Sequence, residues 1–82
     1  MWYVYIIESQ DKDWTYVGVT DELKSRLQKH NRGEVQSTKH YRPFLLAAYV
    51  AVRDKKKAVA LEKYFKTGSG RAILEKRILG SV

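Results

Sequence analysis

The sequence predicts an α+β fold, in which helices flank a three-stranded, mainly antiparallel sheet in the order β-β-α-β-α-α, an α/β sandwich in outline. Three observations predict it. Two runs rich in aromatic and β-branched residues open the chain, a nine-residue apolar run lies at its middle, and segments with helical spacing follow the second and third runs. Residues 1–82 suffice for one domain, which at this size is only marginally self-stabilising.

The first two strands are predicted to form an antiparallel hairpin. Trp2 to Glu8 and Trp14 to Thr20 contain the residue types that favour strands. The polar segment Ser9 to Asp13 between them is short enough for a hairpin connection.

The first helix is predicted to follow the hairpin directly. Thr20 or Asp21 can cap its amino-terminal end, and Leu23 and Leu27 lie on its inner face. The helix is predicted to end near Gly33, after which a polar and basic loop leads to the next strand.

The third strand is predicted over Phe44 to Val52. Because this run is continuously apolar, it suits a central strand with both faces covered. Asp54 can cap a second helix, about Lys55 to Thr67, which Gly68 to Gly70 breaks. A last short helix is predicted over Arg71 to Leu79. The side chains expected to face inward from these two helices are Ala58, Leu61, Tyr64, Phe65, Ile73, Leu74 and Ile78.

The charge of the chain indicates a polyanionic partner. Sixteen Lys and Arg against nine Asp and Glu give a net charge of +7, and residues 44–82 carry nine basic against three acidic side chains. This balance favours contact with nucleic acid, although it does not separate an enzyme from a binding module.

Several classes of protein are excluded by composition. The absence of Cys excludes disulfides, thiolate metal sites and Cys nucleophiles. The longest apolar run, nine residues, is too short to span a membrane, and no signal peptide precedes the first strand. We therefore expect a soluble, cytoplasmic protein with no membrane partner.

Two tyrosines and two helical residues are candidates for chemistry. Tyr5 and Tyr16 lie on neighbouring strands, and Gly18 indicates either a bulge or a close approach by a ligand or backbone. Arg26 and His30 are four residues apart and share a helix face, where they could stabilise a phosphate and orient or deprotonate a Tyr or water. Taken singly, the same residues are explained by strand packing, a surface ion pair and a solvated helix end.

Glu62 is the remaining candidate. It lies near the apolar stripe of the second helix, where Lys63 or Lys66 could pair with it. A lone carboxylate can also hold a divalent cation when waters and substrate phosphates complete the ligand shell.

Together these residues resemble the GIY-YIG endonuclease family. The first family motif aligns with Tyr3-Val4-Tyr5, keeping only its Tyr, and the second aligns with Tyr16-Val17-Gly18. Arg26, His30 and Glu62 fall where the family has its Arg, a His or Tyr, and its metal-binding Glu. The resemblance covers essentially the whole chain and is closest to the small, single-domain bacterial members. The segments that carry this closer likeness are Lys24 to Gly33, Ser37 to Pro43 and Glu62 to Arg71.

The resemblance implies a divalent-metal-dependent endonuclease that hydrolyses DNA phosphodiester bonds with one Mg²⁺ or Mn²⁺ and no organic cofactor. Tyr16, helped by Tyr5 or His30, would activate or orient the attacking water. Arg26 would stabilise the charge on the phosphate, and Glu62 would hold the metal. Sequence specificity is expected to be weak, with selection for DNA structure or single strands, because the chain has no room for a separate DNA-binding domain.

The expected phosphate contacts lie in the loop Ser37 to Arg42 and in the basic carboxyl-terminal half. They are Lys39, His40, Arg42, Lys55, Lys56, Lys57 and Arg71.

Three departures from the family pattern keep other functions open. Tyr3 replaces the Gly of the first motif, Val19 stands where many members have Lys, and the only Asn is Asn31, on the first helix rather than in the carboxyl-terminal part. A non-catalytic nucleic-acid-binding module is therefore the alternative, and a protein-interaction domain is a third. DNA against RNA and the oligomeric state stay open at this point.

Overall fold

The computed structural model describes residues 1–80 and confirms the predicted order of elements. A short 3₁₀ turn precedes the third strand, and a π-helical turn continues the last helix. The elements are β1 (Trp2–Ser9), β2 (Thr15–Thr20), α1 (Leu23–Asn31), the 3₁₀ turn (Lys39–Tyr41), β3 (Phe44–Val52), α2 (Lys55–Phe65), α3 (Gly68–Ile73) and the π turn (Leu74–Ile78).

The three strands form one antiparallel sheet in the order β2-β1-β3. The prediction that Phe44–Val52 is the central strand was wrong, because β1 lies between the other two and β3 forms an edge. Leu45 and Tyr49 of β3 are 60% and 53% exposed. The apolar run was a poor guide because central position follows from pairing, and β1 pairs with both its hairpin partner and the distant β3.

The two faces of the sheet carry different side chains. Because strand residues alternate, Val4 and Ile6 of β1 point to one face, where they meet Ala58 and Phe65 of α2 and Leu74. We call this the apolar face. All five side chains are at most 3% exposed, so it contains the main hydrophobic core.

The opposite face, which we call the aromatic face, is covered by α1 and the loop that follows it. Tyr5 and Ile7 of β1 are buried there together with Phe44 of β3. Partly buried rings and leucines complete this cluster: Trp14, Tyr16, Leu23, Leu27, Tyr41 and Leu46. The predicted inward position of Leu23 and Leu27 is confirmed.

The ends of the helices follow local hydrogen bonds. Thr20 accepts from the backbone N–H of Glu22 at 3.1 Å and so closes the turn before α1, whose first flanking residue is Glu22 rather than Thr20 or Asp21. Asp54 caps α2 as predicted, since its Oδ1 accepts from the backbone N–H of Lys56 at 2.8 Å.

The last two helices differ in detail from the prediction. α2 ends at Phe65, and α3 begins at Gly68, inside the segment predicted to be a break, because the Thr67 hydroxyl caps it. Position 70 requires glycine, because a Cβ atom there would lie only 1.8 Å from the carbonyl oxygen of Tyr64. Tyr64 and Ile73, predicted to face inward, are 43% and 42% exposed because each lies beside the apolar stripe of its helix rather than on it.

Candidate active site

Tyr5 occupies the centre of the aromatic face. It is 1% exposed and pairs across the hairpin with Gly18. A Cβ atom at Gly18 would lie 2.4 Å from the Tyr5 hydroxyl oxygen, so the phenol extends across β2 through space that only a glycine leaves open. The close approach predicted at Gly18 is therefore made by a side chain of the site itself.

Two residues of α1 reach the Tyr5 hydroxyl, as their four-residue spacing requires. His30 Nε2 lies 2.8 Å from the Tyr5 oxygen, and Arg26 Nε donates to the same oxygen at 3.4 Å. His30 is completely buried, so the interpretation of this residue as a solvated helix end was wrong. The interpretation of Arg26 as a surface ion pair also fails, since it is partly buried against Tyr5.

The second ring nitrogen of His30 contacts the loop after α1. Nδ1 lies 2.7 Å from the hydroxyl oxygen of Thr38, which is also 0% exposed. Tyr5, His30 and Thr38 thus form a continuous buried chain of hydrogen bonds from β1 to the loop. Within the described residues, no buried side-chain nitrogen or oxygen atom lacks a hydrogen-bond partner.

The site keeps its inner groups uncharged. Burial raises the pKa of the Tyr5 phenol, an effect that Arg26 partly opposes and that Tyr16 and Glu62 reinforce. Burial, together with the nearby Arg26 cation, lowers the pKa of His30 from 6.5 to about 4. At neutral pH, His30 is therefore neutral, with one nitrogen that donates and one that accepts.

Tyr16 lies on β2 beside this chain and is less buried than Tyr5. Its ring centroid is 5.4 Å from that of His30 and 6.4 Å from that of Tyr5. The Lys66 ammonium lies 5.6 Å from the centroid of the Tyr16 ring. The two predicted tyrosines are therefore brought together, with Tyr16 as the more exposed of the two.

Glu62 approaches the same region from α2. Its Oε2 accepts from Lys66 Nζ at 2.9 Å, which confirms the expected pairing with one of the flanking lysines. Its charge also contributes to the raised pKa of Tyr5, and the Lys66 ammonium with which it pairs lies 5.6 Å from the centroid of the Tyr16 ring. The Glu62 side chain is 20% exposed.

The residues at this position fit one kind of metal. Within residues 1–80 no three carboxylate, imidazole or thiol side chains cluster as a metal cage would require. A single, partly exposed carboxylate suits Mg²⁺, which retains waters and accepts phosphate oxygens as ligands. Lys66 would have to yield the carboxylate oxygen to such an ion.

The predicted phosphate contacts fall into separate groups. His40 and Arg42 are exposed and Lys39 partly exposed in the loop after α1, on the side of the aromatic face. Arg71 donates to the Thr15 hydroxyl at 3.0 Å, next to Tyr16 in the chain. The lysines at positions 55–57 are exposed at the start of α2, where Lys55 lies over the Trp2 ring rather than beside Glu62.

Two polar residues have roles that sequence reasoning missed. Thr38 stood within a loop of expected phosphate contacts, yet it is buried against His30 and cannot touch a phosphate. Asn31 bonds to both backbone groups of Phe44, through Nδ2 at 3.3 Å and Oδ1 at 2.6 Å, and so ties α1 to β3. No local pattern announces either contact, because both join residues that lie eight or more positions apart.

These elements define the class of the protein. Residues 1–77 match the GIY-YIG catalytic domain family, and the chain belongs to that family. The matched range includes both strands of the hairpin, α1 and the helix that carries Glu62.

Within this class, the chain is similar to bacterial UPF0213 proteins. A relative from Streptococcus pyogenes serotype M5 (strain Manfredo) is 37% identical over 71 residues, covering 85% of this chain and 76% of the relative. A relative from serotype M3 (strain SSI-1) has the same identity and coverage. The solution NMR structure of a UPF0213 protein from Bacillus halodurans aligns with a TM-score of 0.60 and 30% identity, over 99% of this chain and 89% of that one.

The helices of residues 1–80 do not include one with the length and apolar character needed to cross a membrane.

Proposed function

We propose that the protein is a divalent-metal-dependent endonuclease that hydrolyses phosphodiester bonds in DNA. The observation that carries the proposal is the convergence of Tyr5, Tyr16, Arg26 and His30 on the aromatic face, with Glu62 paired to Lys66, whose ammonium lies beside the Tyr16 ring. Tyr5, Tyr16 and Glu62 each have an ordinary structural explanation when taken alone, whereas the surface explanations of Arg26 and His30 fail. Their meeting around one phenol, in a chain of the GIY-YIG family, favours a reaction centre.

Arg26 is the group suited to the scissile phosphate. Its Nε is used by Tyr5, which fixes the guanidinium and leaves the terminal N–H groups to donate to phosphate oxygens. A cation held in place before the reaction stabilises the charge that accumulates as water adds to phosphorus.

Tyr16 orients the attacking water. It is the more accessible of the two phenols, whereas the raised pKa of Tyr5 keeps that phenol protonated and unsuited to act as an anionic base. The proton that leaves the water passes to the Tyr5 oxygen while the proton of Tyr5 moves to His30 Nε2, across 2.8 Å. Because the pKa of His30 is about 4, His30 holds this proton only briefly and returns it through Tyr5 to solvent. The hydroxide forms the new bond to phosphorus, the bond to the leaving oxygen breaks, and solvent protonates that oxygen.

Glu62 would provide the carboxylate for one divalent cation of the kind that otherwise takes waters and phosphate oxygens as ligands. When bound, Mg²⁺ or Mn²⁺ would supply Lewis-acid stabilisation of the phosphate and the leaving oxygen. Lys66, whose ammonium lies 5.6 Å from the centroid of the Tyr16 ring, would be a further cation for the substrate once it is released from Glu62.

The substrate is DNA bound through its backbone. The exposed cations of the loop after α1 and Arg71 flank the site and would contact phosphates without reading bases, so sequence specificity is weak. Such a surface selects DNA that is flexible, branched or single-stranded, because contacts to the backbone depend on the shape of the DNA. The exposed lysines 55–57 add long-range attraction for the same polyanion.

A cleavage assay on end-labelled single-stranded, duplex, flap and four-way-junction DNA tests the proposal. It is run with Mg²⁺, with Mn²⁺ and with EDTA. Metal-dependent cutting is expected, with Glu62→Gln reduced to the level seen in EDTA. Arg26→Ala should lower the rate about 100- to 1000-fold, since it removes a preorganised donor to the phosphate. Glu8→Gln is the matched control, because Glu8 is exposed on β1.

Other results would overturn parts of the proposal. Wild-type cutting by Glu62→Gln would exclude Glu62 as the metal ligand. No cutting of any substrate, with DNA affinity that falls as salt rises, would replace the nuclease by a non-catalytic nucleic-acid-binding module. Protein partners that survive nuclease treatment, without salt-sensitive DNA binding, would indicate a protein-interaction domain.

A further inference from the structure

The hydroxyl of Thr38 lies at the inner end of the buried hydrogen-bond chain. Its oxygen is 2.7 Å from His30 Nδ1 and 3.5 Å from the carbonyl oxygen of Val35. Thr38 is fully buried, so it cannot touch a phosphate, and its hydroxyl bonds to His30 rather than to the Tyr5 phenol. Any effect of Thr38 on the reaction must therefore pass through His30.

Neutral His30 can be protonated on either nitrogen, and the two choices distribute hydrogen bonds differently. With the proton on Nδ1, the ring donates to Thr38 and its Nε2 accepts the proton of the Tyr5 hydroxyl. With the proton on Nε2, the ring donates to the Tyr5 oxygen and Nδ1 accepts from Thr38.

The partners of the Tyr5 hydroxyl decide between these choices. Within the described residues 1–80, that hydroxyl bonds to His30 and Arg26, and Arg26 can only donate. If His30 also donated, the phenol would receive two N–H groups while its own proton had no acceptor. A buried donor without an acceptor is unfavourable, so the Nδ1–H form is preferred.

The Nδ1–H form satisfies each group in turn. Arg26 donates to Tyr5, Tyr5 donates to His30 Nε2, and His30 Nδ1–H donates to Thr38. The Thr38 proton is then directed to the carbonyl oxygen of Val35. All the donations run in one direction, from the side of the substrate toward the loop.

We propose that Thr38 is a positioning residue: its hydroxyl accepts the Nδ1–H of His30 and thereby keeps Nε2 free to take the proton of Tyr5. The catalytic consequence rests on the proposed nuclease function, whereas the hydrogen-bond assignment does not. No motif of the chain assigned this role to Thr38.

The loop holds the Thr38 hydroxyl firmly enough for this role. The backbone N–H groups of Thr38 and Lys39 donate to the Val35 carbonyl at 3.1 and 3.0 Å, forming a tight turn. The Tyr41 ring then stacks on Trp14 of the hairpin, with centroids 3.9 Å apart and planes 9° from parallel. The loop is thus fixed to the same hairpin that carries Tyr5.

Imidazole ¹⁵N NMR of the whole chain at neutral pH reads the assignment directly. The two neutral forms differ in which nitrogen carries the proton, and each form gives a distinct pair of ¹⁵N shifts. We expect the Nδ1–H form of His30 in the wild type and in Thr38→Ser. Thr38→Val, which preserves shape but removes the acceptor, should shift His30 toward the Nε2–H form.

Kinetics on the same variants separate positioning from a purely structural role. Thr38→Val should lower kcat about 10- to 100-fold, the usual cost of losing a group that orients a functional histidine, with little change in KM. Thr38→Ser should restore kcat. Gln36→Ala is the control, because Gln36 is exposed in the same loop and lies outside the segment of expected phosphate contacts.

The outcomes distinguish this inference from the nuclease proposal. A wild-type His30 in the Nε2–H form overturns the inference, as does a Thr38→Val protein that keeps both the Nδ1–H form and the wild-type kcat. If the wild type cuts no DNA, the nuclease proposal fails while the NMR result still decides the hydrogen-bond assignment. If Thr38→Val does not fold, the spectra of the wild type and of Thr38→Ser decide it.

Discussion

The two faces of the sheet are built from the same strand but hold the molecule together differently. On β1, Val4 and Ile6 pack on the apolar face against α2 and the π turn, whereas Tyr5 and Ile7 pack on the aromatic face against α1. Every one of these four side chains is at most 1% exposed. The apolar face is held by contacts between hydrocarbons, which depend on volume more than on direction.

The packing of the aromatic face also depends on the direction of its hydrogen bonds. Its buried polar side chains, His30 and Thr38, are 0% exposed and need partners at fixed angles. Tyr5 supplies one of those partners, so a change of a single hydroxyl there removes a link rather than a volume. One face therefore maintains the fold, whereas the other also holds the hydrogen-bonding groups of the site in fixed positions.

The largest expected change in stability comes from the apolar face. Ile6→Ala removes a fully buried side chain from the centre of the core and should lower the free energy of unfolding by about 2–5 kcal/mol. The rate of DNA cutting by folded protein should stay at the wild-type value, because Ile6 points away from the site. Urea denaturation followed by circular dichroism measures the first effect, and the cleavage assay measures the second.

Leu45→Ala is the control for this comparison. Leu45 is 60% exposed on the edge strand, so its loss should change stability by less than about 0.5 kcal/mol. A large loss of cutting by folded Ile6→Ala would show that the two faces are coupled and would contradict the separation drawn here.

The second-largest expected effect is a pH dependence of the free energy of unfolding, caused by His30 on the aromatic face. The pKa of His30 is about 4 in the folded chain against 6.5 for an ordinary histidine, because burial and Arg26 disfavour its charged form. Between these values the unfolded chain binds a proton that the folded chain does not. Stability from neutral His30 is therefore complete above pH 6.5 and is lost as pH falls toward 4, by roughly 3 kcal/mol at about 1.4 kcal/mol for each unit of pKa.

Urea unfolding at several pH values from 7 to 4 tests this dependence. His30→Gln should remove this part of the slope, leaving the part due to carboxylates. Gln28→Ala is the control, since Gln28 is exposed on the same helix and carries no titratable group, so the slope should be unchanged. An equal slope in the wild type and in His30→Gln would mean that His30 is not the titrating group.

The sequence predicted the strands and helices that form both faces, but it did not predict the order of the strands in the sheet. Alternation along Trp2 to Glu8 and the spacing of Arg26 and His30 are local, so the strand and the shared helix face follow from the chain alone. The place of β3 at the sheet edge depends on pairing between distant segments, and the apolar run Phe44–Val52 carries no information about that pairing.

The site shows the same division. Tyr5, Tyr16, Arg26 and Glu62 were selected by the resemblance of their ordered motifs to a family, and spacing alone placed only Arg26 and His30 on one helix face. Thr38 lies in an irregular loop, and the direction of its side chain is set by the turn at Val35 and by the Trp14–Tyr41 stack. No periodicity reports on such a contact.

Gly18 gives the smallest expected change in stability and the sharpest test of the aromatic face. In Gly18→Ala the new methyl group would meet the Tyr5 hydroxyl oxygen at 2.4 Å and its Cζ at 2.5 Å, so the ring must move. We expect a loss of about 1–3 kcal/mol in the free energy of unfolding, as for other overpacked sites. The displaced phenol should also lose its hydrogen bond to His30, and the rate of cutting should fall even where the variant is fully folded.

Gly68→Ala is the matched control, because no atom lies within 4 Å of its added Cβ. If Gly18→Ala cut DNA at the wild-type rate, the position of the Tyr5 hydroxyl would not matter, and the aromatic face would be a second core and nothing more.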